Sequence, residues 1–239
     1  NLCSKQFISS LIVKHMSGKI MYSNAELQQA QVLGAGANRY CVVSPHDEGI
    51  CLKIILPPQQ RQIKNWRQRL QRYLSQNFVR FNENYIEWLA YQRLAHKISP
   101  DVLRQHLAAC LQLDQHQLGL ILSCELVRDT SGEISLSLHH YLKNNLSLNT
   151  QQICQAIDEL ALWLIKHNIP LFDLNSGNLV VQYQPTGQLK LKCIDVKSTF
   201  KSKEIIPLSY WSKRLMHKKI RRRASRLKDL IKNSSVGVE

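Results

Sequence analysis

The chain has 239 residues, enough to bury a substantial core as a single domain or as two small lobes. Its hydrophobic share of 44% and its charged share of 21% are typical of a globular protein and exclude a largely disordered chain. The net charge of +15 indicates a negatively charged partner, such as a nucleotide, a phospholipid, lipopolysaccharide or nucleic acid.

The cysteines and the shortness of the apolar runs predict the cellular compartment of the protein. The seven cysteines include no C-x-x-C pair and lie mostly within apolar runs, as reduced core thiols do. We find no signal peptide and no apolar stretch of about 18 residues, and therefore expect a cytoplasmic protein. Residues 1–20 are set aside as artificial or alternative-start sequence, because the chain opens on Asn1 and methionines follow at Met16 and Met21.

The first half of the chain predicts strands followed by a helix. Apolar stretches alternate with turns from Ala30 to Leu56, which indicates a three-stranded meander. The Gln/Arg-rich stretch 59–76 predicts a polar helix or a long insert. Apolar residues at helical spacing then predict a helix over residues 82–94.

The second half predicts a strand pair, a buried helix and a hairpin. The strands are expected at 108–113 and 118–128, and an apolar pattern predicts a buried helix from Thr150 to about His167. A polar loop, a hairpin and basic helices follow. This order of elements predicts an α+β fold of two lobes.

The polar loop contains Asp173 and, five positions later, Asn178, which is the spacing of a kinase catalytic loop. Asp195 ends the next apolar and basic segment. Phosphoryl transfer needs metal ions held by hard oxygen ligands, which Asn178 and Asp195 supply, while Asp173 would accept or orient the proton of an incoming hydroxyl. The alternative is that these residues are ordinary turn formers.

Gly34 and Gly36 fall in a turn between two predicted strands. Glycine there lets backbone N–H groups approach a phosphate, because no side chain blocks them. Arg39 stands where a kinase loop has its third glycine, and its guanidinium could itself bind a phosphate. The alternative is a simple hairpin turn.

Lys53 lies among apolar residues of the third predicted strand, where a buried lysine needs a carboxylate. Glu83 and Glu87 lie on one face of the next helix, and we prefer Glu87 because its neighbours are more apolar. The pair would hold Lys53 against nucleotide phosphates, unless Lys53 is an edge-strand lysine in solvent. Glu125 ends an apolar strand and would mark the start of the hinge segment, which runs past the adenine of a bound nucleotide.

Five segments together resemble the PhoP regulatory network protein YrbL family, a bacterial group with a protein-kinase-like fold. The resemblance runs from about residue 30 to residue 228. Its motifs are Leu33-Gly-Ala-Gly-Ala-Asn-Arg39, Ile50-Cys-Leu-Lys-Ile54, Glu87-x-x-x-Tyr91-x-x-Leu94, Gly119-Leu-Ile-Leu-Ser-Cys-Glu-Leu-Val-Arg-Asp129 with Gly132, and Asp173-Leu-Asn-Ser-Gly-Asn-Leu179.

The resemblance implies two lobes and a site for ATP and Mg²⁺. The expected N-lobe is small and strand-rich, at 21–128, and the expected C-lobe is reduced and mainly helical, at 129–239. The roles implied by the resemblance fall on Lys53, Glu87, Asp173, Asn178 and Asp195.

Three departures from the protein-kinase pattern shape the functional hypotheses. Leu171-Phe172 replaces the His-Arg before the catalytic aspartate, Val196-Lys197 replaces the Phe-Gly after Asp195, and the 44 residues after Asp195 contain no A-P-E. The leading hypothesis is therefore an ATP- and magnesium-dependent phosphotransferase that acts on a hydroxyl of a small molecule, lipid or glycolipid. The second is a non-catalytic, pseudokinase-like regulator that binds a nucleotide or a partner.

The basic segment 210–232 motivates a third, weaker hypothesis. Trp211, Leu215, Leu227, Leu230 and Ile231 are its expected buried residues. Its charges are either a solvated face on closing helices or an attachment to anionic lipid or lipopolysaccharide at the inner membrane. No aromatic residues interleave with the charges, which argues against nucleic acid.

Overall fold

The computed structural model describes residues 22–36, 38–57, 73, 78–144, 146, 148–199 and 212–235. The predicted polar helix at 59–76 lies outside these residues apart from Tyr73, and so do residues 1–20. The described chain forms two compact units. The first takes its residues from Asn1–Trp88 and Leu111–Cys124, and the second from Leu89–Cys110 and Glu125–Glu239.

The first unit is built on a sheet. Among the described residues, five strands form this sheet in the order β1-β2-β3-β5-β4. They are β1 Val32–Ala35, β2 Arg39–Ser44, β3 Asp47–Ile55, β4 Cys110–His116 and β5 Gly119–Glu125. β2 pairs with both β1 and β3 in antiparallel fashion, which confirms the predicted meander.

A short helix closes the core of this unit. Helix α1, Asn24–Gln29, begins with a capping box in which Ser23 Oγ accepts from Glu26 N at 3.2 Å and Glu26 Oε2 accepts from Ser23 N at 2.7 Å. The cap directs Leu27 into the sheet. The buried core residues here are Tyr22, Leu27, Val42, Leu52, Ile54 and Ile121.

Helix α2, Glu83–Ala95, begins one residue after the start of the predicted helix. Asn82 Oδ1 accepts hydrogen bonds from Asn84 N at 2.9 Å and from Tyr85 N at 3.3 Å, which satisfies two amides of the first turn. The first of the two segments that form this unit ends at Trp88, so the opening turns of α2 belong to it.

The second unit contains mainly helices and one hairpin. Its elements are α3 Pro100–Arg104, α4 Leu138–Lys143, α5 Thr150–Lys166, β6 Leu179–Tyr183, β7 Leu189–Cys193 and α6 Lys213–Ser235, with a short 3₁₀ turn at Lys197–Thr199. β6 and β7 are antiparallel, from Leu179 opposite Cys193 to Tyr183 opposite Leu189. Gly187 has a φ of 76° in the connecting turn, a conformation that favours glycine.

Helix α5 is the buried helix that the apolar pattern predicts. Asn149 caps it, because its Oδ1 accepts from Gln152 N at 3.0 Å, and the helix ends beside His167 as expected. Ile165 is half-buried. The fully buried residues are Ile153, Ala156, Ile157, Leu160, Ala161, Trp163 and Leu164.

Helix α6 packs against α5, and Lys228 Nζ binds Asp158 Oδ1 of α5 at 2.7 Å. The prediction for its apolar residues is partly wrong: Leu215 and Leu230 are 43% and 47% exposed. Only one stripe of a helix can face a neighbour, and these two leucines lie beside that stripe. The buried stripe is Met216, Ile220, Ala224, Leu227 and Ile231, while Trp211 lies outside the described residues.

The α+β class is confirmed, with a strand-rich first part and a mainly helical second part. A glycine turn between β1 and β2, a lysine on β3 and a glutamate on the following helix occur in the order of a protein-kinase-like fold. The lobe bounds 21–128 and 129–239 stay a prediction. None of the helices among the described residues has the length and apolarity needed to span a membrane.

Candidate functional site

The first unit holds a buried ion pair. Lys53 on β3 is 5% exposed and Glu87 on α2 is 1% exposed, and Lys53 Nζ lies 2.6 Å from Glu87 Oε1. Buried charges are tolerated when each has a partner at hydrogen-bonding distance, as here. Glu87 is the glutamate that the helix pattern favours, and Lys53 does not face solvent.

A second cation shares Glu87. Arg39 Nη1 lies 2.5 Å from Glu87 Oε2, so each carboxylate oxygen of Glu87 binds a different cation. Arg39 Nη1 also donates to Asn84 Oδ1 at 3.1 Å, and Arg39 Nε is 3.8 Å from Glu83 Oε2. The guanidinium is therefore fixed to the start of α2, and its contact with a phosphate stays a prediction.

Asn84 joins this cluster to the sheet. It is fully buried, and its Nδ2 donates to the main-chain oxygens of Lys53 on β3 and Leu120 on β5, both at 2.7 Å. Sequence reasoning missed this residue, because an asparagine in the first turn of a helix is also what ordinary capping produces. Its function is to hold α2 against two strands.

The glycine turn is open on one side. Gly36 N donates to Arg39 O at 2.7 Å, which closes the turn, and neither Gly34 nor Gly36 has a positive φ. Among the described residues, a Cβ on Gly34 would meet no atom within 4 Å, and one on Gly36 would meet only Arg39 O at 3.7 Å. The backbone therefore does not require glycine at either position, and the described residues leave open space beside Gly34.

In the second unit, the loop between α5 and β6 is held by its own polar residues. Asn175 Nδ2 donates to Asp173 Oδ1 at 3.0 Å, and Asn178 N donates to Asn175 Oδ1 at 2.9 Å. Asn178 Nδ2 donates to Asp173 O at 3.4 Å, which leaves the amide oxygen of Asn178 as its potential metal ligand. Among the described residues, Asp173 Oδ2 has no hydrogen-bond donor.

Two contacts bring Asp195 to this loop. Ile194 N donates to Asn178 O at 2.9 Å, and Asp173 N donates to Ser198 Oγ at 3.2 Å. The segment that contains Asp195 is thus bonded at both ends to the loop that contains Asp173 and Asn178. The loop and the segment that contain the three predicted residues are therefore adjacent within the second unit.

Lys197 contacts the carboxylate of Asp195. Its Nζ lies 2.9 Å from Asp195 Oδ2, and its backbone N donates to Asp195 Oδ1 at 3.0 Å. A lysine beside a potential metal ligand places a positive charge where a divalent cation would bind. This contact is the departure from the kinase pattern with the clearest chemical effect.

The Leu171-Phe172 departure has a structural explanation. Both side chains are buried, and Lys219 Nζ of α6 lies 3.9 Å from the centroid of the Phe172 ring, a cation–π contact. Apolar packing therefore supports the loop where a kinase has His-Arg.

Glu125, the expected hinge residue, is the last residue of β5 and its carboxylate is already bonded. Lys192 Nζ lies 2.6 Å from Glu125 Oε1, and Ala109 N donates to Glu125 Oε2 at 3.1 Å. Lys192 is buried on β7 and was not predicted, because the alternating Leu-Lys-Leu-Lys pattern suggests a solvent-facing lysine. An adenine contact at Glu125 stays a prediction.

Comparison of the sequence with models of protein families identifies the family of this chain. The family model described as "PhoP regulatory network protein YrbL" matches residues 25–233. The chain belongs to this family. No curated protein matches the YrbL-family chain significantly.

The YrbL-family chain is also similar to crystal structures of the PknI kinase domain from Mycobacterium tuberculosis. Two of them, of which one is a single mutant, are 16% identical, with TM-scores of 0.39 and 0.40, and the match covers 72% of this chain but only 59% of theirs. For a double mutant the identity is 16%, the TM-score 0.45, and the coverage 82% of this chain and 72% of that one. Nothing about activity or substrate follows from a similarity of this degree.

Each unit of this YrbL-family chain has residues that suit one part of a magnesium nucleotide. In the second unit, the amide oxygen of Asn178 and the carboxylate of Asp195 are hard oxygen donors, which Mg²⁺ prefers. In the first unit, Lys53 and the space that the described residues leave open at Gly34 suit phosphates. Lys197 is the exception, because its ammonium group occupies one oxygen of Asp195.

Proposed function

We propose that this YrbL-family protein is a kinase-like phosphotransferase that uses ATP and Mg²⁺ to phosphorylate a hydroxyl of a small molecule, lipid or glycolipid. The observation that supports it best is the buried Lys53–Glu87 pair, at 2.6 Å. Burying a lysine and a glutamate gives little net stability compared with apolar side chains, so a functional reason for the pair is favoured.

Each residue of the proposed site has a distinct function. ATP, when bound, supplies the phosphoryl group. Lys53, oriented by Glu87, binds the phosphates, and Asn178 and Asp195 provide oxygen ligands for magnesium. Asp173 Oδ2 accepts the proton of the acceptor hydroxyl or orients that hydroxyl.

The proposal is tested by ATP turnover with and without Mg²⁺ against a panel of sugars, small alcohols, lipids and glycolipids. We expect magnesium-dependent ADP release that depends on the acceptor. Asp173→Ala should lower kcat by about 100-fold or more, since general-base catalysis contributes that much. Asp158→Ala, an exposed aspartate on α5, is the matched control and should keep full activity.

The phosphotransferase proposal is wrong if no acceptor gives magnesium-dependent turnover of ATP. It is also wrong if Asp173→Ala and wild type turn over at the same rate, because the activity would then come from elsewhere.

The second candidate is a non-catalytic regulator that binds nucleotide, and the Lys197–Asp195 contact favours it. The Lys197 ammonium offsets the negative charge that would otherwise attract Mg²⁺. This candidate predicts ATP binding that is equally tight with and without Mg²⁺, and no turnover. Lys197→Ala should make ATP binding magnesium-dependent, whereas measurable turnover by wild type would eliminate this candidate.

The exposed basic face of α6 supports a further proposal, attachment to a phosphate-bearing lipid surface. Helix α6 contains ten lysines and arginines and one acidic residue, Asp229, and its apolar stripe is buried within the second unit, where α6 packs against α5. The face that remains outside is basic. Its exposed residues include Lys213, Arg214, Lys218, Arg221, Arg222, Arg226 and Lys232.

Co-sedimentation with vesicles tests this attachment. We expect binding to vesicles that contain phosphatidylglycerol, weaker binding at high salt, and none to phosphatidylcholine alone, because each basic residue near an anionic surface contributes about 1 kcal/mol. Charge reversal of Arg214, Lys218 and Arg222 should abolish binding. The matched control reverses the charges of the exposed Arg93, Lys97 and Arg104. If both sets of variants lost vesicle binding equally, net charge and not the basic face of α6 would be the cause. Binding to lipopolysaccharide aggregates is measured in a separate experiment.

A further inference from the structure

Arg39 belongs to two parts of the first unit at once. Its main-chain oxygen accepts from Gly36 N at 2.7 Å and closes the glycine turn between β1 and β2. Its side chain contacts α2, where Arg39 Nη1 donates to Asn84 Oδ1 at 3.1 Å and lies 2.5 Å from Glu87 Oε2. One residue therefore connects the glycine turn to the helix that contains Glu87.

The register of the sheet explains why the Arg39 side chain reaches this helix. Cys41 on β2 is opposite Lys53 on β3, and Arg39 is two residues before Cys41 on the same strand. Side chains two residues apart on a strand point to one face, and so do directly opposed residues of antiparallel strands. Arg39 and Lys53 therefore project from the same face of the sheet, and both reach Glu87 of α2.

Asn38 adds a second connection beside Arg39. Its Nδ2 donates to Glu83 Oε1 at 2.6 Å, and its main-chain oxygen accepts from Leu56 N at 2.9 Å, just beyond the end of β3. Arg39 Nε lies 3.8 Å from Oε2, the other oxygen of Glu83. Two consecutive residues where the chain enters β2 thus bind Glu83 and Glu87, which lie one helical turn apart on α2.

The two cations fix the orientation of the Glu87 carboxylate. A carboxylate that binds one cation through one oxygen can rotate about that contact, whereas a carboxylate with a cation on each oxygen is held in one orientation. Arg39 binds Oε2 and Lys53 binds Oε1. Glu87 in turn holds the ammonium group of Lys53, so the loss of Arg39 would alter the position of Lys53 through Glu87.

We propose that Arg39 is a positioning residue that joins the glycine turn to the Lys53–Glu87 pair, so that a ligand which orders the turn also orders the pair. The guanidinium acts through Glu87 and is not itself a ligand of a phosphate. The coupling concerns the chain itself, whereas its effect on ATP rests on the proposed function.

Amide hydrogen exchange of the full, ligand-free chain tests the coupling. The reporters are Gly36 N, which donates to Arg39 O, and Ile86 N, which donates to Asn82 O at 3.0 Å in the first turn of α2. We expect Arg39→Gln to speed exchange at both amides by about tenfold, because both parts open more easily without it. Arg80→Gln removes an exposed arginine just before α2 and should change neither. If only one of the two amides exchanges faster in Arg39→Gln, the proposal is overturned.

A double-mutant cycle of ATP binding separates positioning from a direct phosphate contact. Arg39→Gln should raise the Kd for ATP with Mg²⁺ by about tenfold, and Arg80→Gln should leave it unchanged. In the Glu87→Gln variant, Arg39→Gln should alter Kd by about twofold or less, because the residue through which Arg39 acts is already gone. Arg39→Lys keeps the charge but not the planar fork, so it should weaken binding by less than Arg39→Gln does.

Each outcome of the cycle decides between the two roles of Arg39. The proposal is overturned if Arg39→Gln raises Kd by the same factor with and without Glu87, since Arg39 would then contact the phosphate itself. It is also overturned if wild type and Arg39→Gln bind ATP equally tightly. If wild type does not bind ATP, the proposed phosphotransferase is wrong, and hydrogen exchange alone decides whether Arg39 couples the turn to α2. Hydrogen exchange also decides if Glu87→Gln does not fold.

Discussion

Glu87 is the carboxylate that Lys53 and Arg39 share. One of its oxygens binds Lys53, which is buried, and the other binds Arg39, which is half-buried. Neutralising this carboxylate would take from both cations the negative charge that they share, which is more damaging than losing a single hydrogen bond.

We therefore expect Glu87→Gln to lower the free energy of unfolding by about 3 kcal/mol or more. Urea denaturation of the folded chain measures this. Glu83→Gln on the same helix is the control, since Glu83 is more exposed and lies 3.8 Å from Arg39 Nε, so its loss should be about 1 kcal/mol or less. Equal losses for both variants would contradict the shared-carboxylate interpretation.

His106 predicts how stability depends on pH. It is 7% exposed, its Nδ1 is bonded to Leu191 O at 2.9 Å, and burial lowers its pKa from 6.5 to about 4. The lowered pKa means that the unfolded chain binds a proton that the folded chain rejects. Stability from this group is complete above pH 6.5 and falls as the pH decreases toward 4.

The expected decrease is of the order of 3 kcal/mol between pH 7 and pH 4. It should be seen as a decrease in the urea midpoint across that range. In His106→Gln the decrease should be smaller by that amount, whereas in His96→Gln, which removes an exposed histidine, it should persist. A steep decrease that survives in His106→Gln would mean that other groups cause it.

At the scale of elements, Asn84 decides how α2 is held on the sheet. One side-chain amide bonds to β3 and to β5, both at 2.7 Å, so a single residue fixes the helix that contains Glu87. Asn84→Ala should lower the free energy of unfolding by about 2 to 4 kcal/mol, because one buried and one partly buried carbonyl oxygen lose this donor. The measurement is again urea denaturation.

The control for Asn84 is Asn24→Ala, since Asn24 is exposed and donates one bond to Gln117 at 3.0 Å. A change of about 0.5 kcal/mol or less is expected there. If Asn84→Ala were equally mild, Asn84 would not be what fixes α2.

The helices show what the sequence can predict about elements. Helix α5 was predicted in full because its apolar stripe is dense and nearly free of charge. Helix α6 was predicted, but Leu215 and Leu230 were assigned to its buried stripe, although the neighbouring helix accepts only one face. Periodicity gives the length of a helix more reliably than it gives the angle at which the helix packs.

The partners of the charged residues were harder to predict than their positions. Lys53, Glu87, Asp173, Asn178 and Asp195 follow from motif order along the chain. The second cation on Glu87 and the Lys192–Glu125 pair do not, because they join residues 48 and 67 positions apart that only the folded sheet and hairpin bring together. Long-range pairs of this kind have no local sequence pattern.

At the scale of the whole molecule, a ligand that binds only the folded chain raises its melting temperature. If the proposed site is correct, ATP with Mg²⁺ at about 100 times its Kd should add about 2.7 kcal/mol and raise Tm by about 5 to 10 °C. Lys53→Met should abolish this increase, and the exposed Lys97→Met should keep it. No increase for wild type would mean that the chain does not bind this nucleotide at all.

Gly34 has a consequence for the unfolded chain. A glycine is more flexible than any other residue when the chain unfolds. Here the folded backbone gains nothing from it, since φ is not positive and a Cβ would meet no atom of the described residues within 4 Å. Gly34→Ala should therefore stabilise the protein by about 0.4 to 1 kcal/mol, through a smaller gain in conformational entropy on unfolding. The chain gives up stability at this turn, and a weaker ATP affinity in the stabilised variant would show what that loss maintains.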